Sequence, residues 1–245
     1  YFGSKIKKGV MIADKTQHTT DDRQQTTAIN STLVVGSPWS VVKILAHLFS
    51  YLFHPIFIPL YAVAFLVFIH PSYFSGFSMA AKKQTLLIVF INAVAFPILA
   101  VVLLKAVGFI QSIFLKTQKD RIIPYMACGI FFFWAYLVFK NQTNYPLILS
   151  SFLLGVFLAS SAALLANIYF KISMHATGVG GLLGIFLLIM KSNTMLMTWP
   201  LCIAIAITGL VCTARLLISD HSTKEIYIGL IAGLLSQFVA AIVVL

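Results

Sequence analysis

A series of apolar runs, each close to the length of a bilayer crossing, limits this chain more than any other feature. A hydrocarbon core of about 30 Å takes about 20 mostly apolar residues as a helix. Such runs cover Val42–Ile69, Leu86–Leu115, Ile122–Phe139, Pro146–Phe170, Thr177–Met190, Met197–Ile218 and Ile226–Val244. Pro55 and Pro59 interrupt the first and should kink or split it, because proline removes a helical hydrogen bond. Seven crossings is the literal count, and six follows if the broken run does not cross. Charged residues make up only 9% of the 245, against about 25% in soluble domains. The expected fold is therefore all-α, a polytopic transmembrane bundle of six or seven helices over residues 41–245. Short connections make consecutive helices antiparallel neighbours, and no internal repeat is visible. Residues 1–40 are polar, rich in Thr, Gln, Asp and Lys, and contain no clear cleavable signal peptide. They are expected to be a flexible or surface segment, in part foreign to the natural chain, and an opening on Tyr1 implies residues missing or appended upstream.

The 17 Lys and Arg against 6 Asp and Glu give a formal charge of +11. No long basic stripe with interleaved aromatics accompanies it, so nucleic acid is not the expected partner. Anionic headgroups and anionic substrates are. Cys128, Cys202 and Cys212 lie in apolar runs without metal-ligand spacing and are expected to be small buried hydrophobes.

Counting crossings gathers three polar segments on one membrane face. Leu115–Tyr125, Lys171–Gly178 and Ala214–Gly229 are each separated by an even number of spans. Ionisable groups beside apolar spans are costly and mark candidate sites. The first segment offers Lys116, Lys119 and Arg121 before Pro124, a residue suited to the first turn of a helix. The second offers Lys171, Ser173 and His175; the third offers Arg215, His221 and Glu225. Phosphate chemistry uses these types: cations neutralise phosphoryl oxygens, a carboxylate orients a nucleophilic histidine, and a second histidine protonates the leaving oxygen. His221 and Glu225, four apart, share one face of a helix that begins near Ser222. Clustered cations oppose a metal site, so neither metal nor other cofactor is expected. Asp120 and Asp220 are expected to pair with nearby cations or headgroups. His54, in the proline-broken run, is taken as structural, as are His18, His47 and His70.

Over about residues 110–245 this pattern resembles the type 2 phosphatidic acid phosphatase (PAP2) superfamily. That family carries Lys-x6-Arg-Pro, Pro-Ser-Gly-His and Ser-Arg-x5-His-x3-Asp motifs. Arg215, His221 and Glu225 keep the third spacing, with Glu for Asp and Ala214 for Ser. Ser173 and His175 keep part of the second. Lys116 and Pro124 keep part of the first, with Ile123 at the Arg position and Arg121 two residues earlier. The resemblance implies a PAP2-like core and metal-independent hydrolysis of a lipid phosphomonoester or pyrophosphate. It makes His221 the nucleophile, Glu225 its orienting carboxylate and His175 the general acid. Lys116, Arg121, Ser173 and Arg215 would hold phosphate, with Lys171 and Lys119 as second choices.

Sidedness draws on two opposed signals. Lys82, Lys83, Lys140 and Lys191 fall on the face opposite the polar segments, and a positive-inside count puts the segments in the cytoplasm. The resemblance places the site at the periplasmic face of a bacterial inner membrane, and that is the expectation adopted. The altered motifs support a second reading, a catalytically degenerate subunit that binds lipid or a membrane partner. The expected partners are thus a lipid phosphate and bulk lipid, with a homo-oligomer or membrane complex on the second reading. A transporter is the third, disfavoured by spans almost empty of charge, with Lys105 the main exception.

Overall fold

The computed structural model describes residues 38–110, 112, 117–191, 197–218 and 221–245. These residues form helices and connecting turns: α1 (Pro38–Leu52), α2 (Ile58–Ile69), α3 (Met79–Ala106), α4 (Gln118–Lys140), α5 (Leu147–Tyr169), α6 (Met174–Lys191), α7 (Thr198–Ile218) and α8 (Thr223–Val244). The chain divides into two units, Tyr1–Leu45 and Ala46–Leu245. The first is described only over its last residues, the opening of α1. The second holds everything discussed below. Among the described residues, six helices, α3 to α8, are long and apolar enough to cross a membrane. The protein is an all-α, multi-pass membrane protein.

The proline-broken run forms two shorter helices, neither long enough to cross by itself. α1 ends at Leu52, Pro55 lies in the break, and Pro59 falls in the first turn of α2, where its missing N–H is harmless. At 1.5 Å per residue the two pieces reach only about 22 and 18 Å, short of the about 30 Å core. The break satisfies the last carbonyls of α1, which a helix end leaves open. Phe49 O accepts from Phe53 N, Tyr51 O from His54 N, and Leu52 O from the Tyr61 hydroxyl at 2.9 Å.

Other boundaries differ from the sequence expectation for local reasons. α3 starts at Met79, because Ser78 caps it by accepting from Ala81 N. It ends by Val107–Gly108, where Gly108 takes φ +87 and Phe109 N bonds back to Leu104 O. α4 starts at Gln118 under a Thr117 cap, so Pro124 lies inside the helix and not in its first turn. α6 starts at Met174, which puts His175 on the helix. Two π-helical turns, Phe65–Ile69 and Ile91–Ala95, fall within α2 and α3.

α8 packs on α5 and α6 at the centre, and glycine makes the α6–α8 approach close. A Cβ on Gly233 would strike the Thr177 carbonyl, and one on Gly180 would strike the Leu230 carbonyl. Small residues give membrane helices this proximity where no hydrophobic drive exists between them. The faces left outward, such as Ile130, Trp134, Ile203 and Ile242, are large and apolar, as lipid contact requires.

Candidate active site

The starts of α4, α6 and α8 and the end of α7 meet at one face of the bundle. Hydrogen bonds tie the three polar segments together there. Arg121 donates through Nη1 to Ile172 O at 3.1 Å. Gln118 and Asn167 exchange side-chain-to-backbone bonds. His221 donates to Lys171 O. The extended residues 171–173 thus act as a spacer clamped by both neighbouring segments.

A cavity of about 790 Å³ opens below this junction, within the size range of small-molecule sites. Arg121, Lys171, His175, Arg215 and His221 line it, together with His54. No Asp or Glu lines it among the described residues. Deeper, its walls are apolar, with Ile98, Val102, Phe132, Phe152 and Val156.

His221 is the best-defined group. Its Nδ1 lies 3.0 Å from Glu225 Oε2 and 3.0 Å from Lys171 O. Carbonyl and carboxylate only accept, so Nδ1 carries the proton. Neutral His221 then keeps its lone pair on Nε2. Burial, and the charges of Arg121 and Arg215, hold its pKa below 6.5, while the Glu225 hydrogen bond and charge pull the other way. Glu225 is fixed in turn by a capping box: it accepts from Ser222 N at 3.0 Å, and the Ser222 hydroxyl accepts from Glu225 N. The helix cap is therefore also the support of the histidine.

His175 is held at its other nitrogen. Nε2 lies 3.1 Å from Ser50 O and 3.2 Å from Ser50 Oγ. The carbonyl makes Nε2 the protonated atom, so a neutral His175 has its lone pair on Nδ1. This bond also satisfies the remaining open carbonyl of α1. Arg215, in the last turn of α7, donates Nη1 to Ser50 Oγ at 3.0 Å. His54 stands edge-on to His175, ring centroids 5.1 Å apart. Its Nδ1 accepts from Ile56 N, and burial followed by the Arg215 charge lowers its pKa to about 4.

The sequence-derived residues do not all converge. His221, His175, Arg121, Arg215 and Lys171 do, with Glu225 behind His221. Arg121 faces the cavity together with Pro124, Tyr125, Cys128 and Phe132, a helical stripe. Ile123 lies outside that stripe and is exposed, so the guanidinium belongs at 121 once the helix starts at Gln118. Ser173 is fully buried away from the cavity wall, and its hydroxyl accepts from Ala176 N near the start of α6. Lys119 is exposed and does not line the cavity. Lys116 and Asp220 lie outside the described residues, as does His18.

Ser50, His54 and Tyr125 belong to the site and were not singled out from sequence. His54, and the more exposed His47, line the cavity, against the structural role expected of them. Their signal was an ionisable residue beside a proline break in an apolar run. His70 is buried, with Nδ1 accepting from Ser72 N, away from the cavity. Tyr125, one turn beyond Arg121, has a buried hydroxyl with no hydrogen-bond partner among the described residues. No group of three or more His, Cys, Asp or Glu that could hold a metal ion occurs among the described residues.

Compared with protein-family models, curated proteins and solved structures, the chain has no match.

Proposed function

We propose that the protein is a membrane lipid phosphatase, a divergent relative of the PAP2 superfamily, working through a phosphohistidine. The observation that carries this reading is His221. Its Nδ1 proton is committed to Glu225 and Lys171 O, which leaves Nε2 as a lone-pair donor on a cavity lined by two guanidiniums and a lysine. The starts of α4, α6 and α8 add the positive ends of three helix dipoles at that face. Cations around a nucleophile, with no carboxylate on the wall among the described residues, suit a phosphoryl group. Apolar walls below suit a hydrocarbon chain.

In this mechanism Nε2 of His221 attacks phosphorus as the bond from phosphorus to the lipid oxygen breaks. Arg121 and Arg215 hold the remaining oxygens, Arg215 exchanging the Ser50 hydroxyl for a phosphoryl oxygen. The departing alkoxide takes a proton from His175. A neutral His175 would become imidazolate on doing so; it acts as acid only after Nδ1 has taken a second proton. A bound phosphate dianion stabilises that cation. Water then attacks the phosphohistidine, gives its proton back to His175, and releases phosphate and free His221. The site is proposed to face the periplasm of a bacterial inner membrane.

Purified protein in detergent with a chelator should release phosphate from a lipid phosphate. It should also form an acid-labile, alkali-stable phosphoenzyme. His221→Ala should show neither. Full turnover in that variant would end the mechanism. The engagement of Arg215 and His175 by Ser50 favours a second reading, a lipid-phosphate binder without turnover. Tight binding of the lipid by wild-type protein, with no phosphoenzyme, would select it.

A further inference from the structure

Two uncharged side chains on the cavity wall, Gln237 and Tyr125, hold buried polar atoms that have no hydrogen-bond partner among the described residues. Gln237 lies twelve residues beyond Glu225 on α8, about 18 Å deeper at 1.5 Å per residue. A phosphate bound at His221 is out of its reach. Tyr125 stands nearer the chemistry. Four residues set it about 6 Å beyond Arg121 on α4. Long side chains on a helix lean toward its N-terminus, which brings the phenol back toward the guanidinium.

Packing fixes where the ring stands. Tyr125 is 9% exposed and clusters with Ala163 and Ile172, with Met174 packed against them. Ile172 O accepts from Arg121, and Lys171 O, one residue earlier, accepts from His221. The ring therefore abuts the connection that joins the proposed nucleophile to a guanidinium proposed to hold phosphate. Phenylalanine would suit so apolar a nest. A hydroxyl buried there without a partner is destabilising, because it has left water and gained no bond. Its partner has to arrive with a ligand.

We propose that Tyr125 is a further catalytic residue, whose hydroxyl donates to a phosphoryl oxygen of the bound substrate. A phosphoryl group under attack carries three equatorial oxygens. Arg121 and Arg215 approach them from α4 and α7, and Tyr125 supplies one more donor from a turn deeper on α4. It is neutral, so it adds no charge to a wall already lined with cations. Its hydrogen bond strengthens as charge gathers on that oxygen in the transition state. The phenol keeps its proton throughout. The inference rests on the lipid phosphatase reading and adds to it a residue that none of the three motif spacings includes.

The test separates function from packing by sign. In Tyr125→Phe the thermal midpoint of the unliganded protein should stay the same or rise, since an unpartnered hydroxyl is removed. Its kcat/KM on a lipid phosphate should nevertheless fall about 10²-fold, mostly in kcat. Orthovanadate, which adopts the five-coordinate geometry of phosphoryl transfer, should bind wild-type protein and raise its midpoint. Titrated in the same way, Tyr125→Phe should bind it about tenfold more weakly. Tyr125→Met, which keeps apolar bulk, should show the same loss of vanadate affinity and guards against an effect peculiar to one variant. A lower unliganded midpoint in Tyr125→Phe would show that the hydroxyl already has a structural partner. Vanadate affinity equal to wild type in both variants would show that it does not touch the phosphoryl group. Either result would overturn the proposal. If no lipid phosphate is turned over, the phosphatase reading fails on its own, and vanadate affinity alone decides whether Tyr125 holds an oxyanion. No vanadate shift in wild type would then overturn that as well.

Discussion

The two histidines of the cavity are held by opposite nitrogens. His221 is gripped at Nδ1 by a carboxylate from the start of α8 and a carbonyl from the connection between α5 and α6. His175 is gripped at Nε2 by the carbonyl and hydroxyl of Ser50, in the last turn of a helix too short to cross by itself. The first arrangement leaves Nε2 unprotonated and backs the ring with negative charge, which strengthens it as a nucleophile. The second places no carboxylate behind the ring and sets Arg215 beside it through the shared serine. In the proposed mechanism that ring gains its second proton only when an anion is bound. Both residues are histidine, and the hydrogen-bond partners separate their chemistry.

The strongest test of this contrast uses the leaving group. His221→Asn should lose phosphoenzyme formation with every substrate, a drop on the order of 10⁴-fold or more, since it removes the attacking atom. His175→Asn should cost about 10²–10³-fold on a lipid alcohol, whose oxygen needs a proton. It should cost little on an aryl phosphate, whose oxygen departs as a stable anion. Rates of both variants on the two substrates check this, and equal losses for His175→Asn on both would remove its role as acid. Next in size, Arg121→Lys and Arg215→Lys should each lower kcat/KM by roughly 10²-fold, because an ammonium cannot supply the bidentate fork.

Glu225→Gln sharpens the comparison through pH. The amide can still accept from Nδ1, so a loss of about tenfold to 10²-fold is expected. In the proposed mechanism the working form of His221 is neutral, so kcat/KM should fall as pH drops through its folded pKa. Burial and the two arginines already hold that value below 6.5, and Glu225 is the group that raises it. Removing the carboxylate charge should therefore move the acid limb of the pH profile to lower pH. A limb that moved up, or stayed, would show that Glu225 does not set the state of His221.

The sequence was informative wherever one physical rule acted alone. Bilayer thickness set the long apolar runs, and span parity then placed Arg121, Lys171, His175, Arg215 and His221 on one face; the structure joins their segments by direct hydrogen bonds. The His221–Glu225 pair was visible because residues four apart share one face of a helix that begins near Ser222. What stayed hidden depended on helix boundaries and on breaks. Motif spacing sought an arginine at 123, whereas the Thr117 cap moves the start of α4 back and makes 121 the cavity position. Ser173 was expected on phosphate, and the start of α6 at Met174 uses its hydroxyl at the helix N-terminus. Ser50 and His54 were hidden because their partners are distant in sequence and the break exposes them to the cavity only after folding.

His54 gives an effect on stability and none on the chemical step. In the folded protein its pKa is lowered to about 4 by burial and by Arg215, whereas an unfolded histidine titrates near 6.5. Below 6.5 the unfolded chain takes up a proton that the folded chain refuses. Stability is thus lost progressively as pH falls from about 6.5 and levels off below about 4. The full shift corresponds to about 3 kcal/mol, an upper figure because the ring is partly open to the cavity. His54→Phe keeps a ring edge-on to His175 and removes the titration. Thermal midpoints between pH 7 and pH 4 should fall less steeply in that variant than in wild type, while His221 still contributes a slope of the same sign. Equal slopes would mean that His54 is solvated and charged at acid pH, and that the break between α1 and α2 does not seal that side of the cavity.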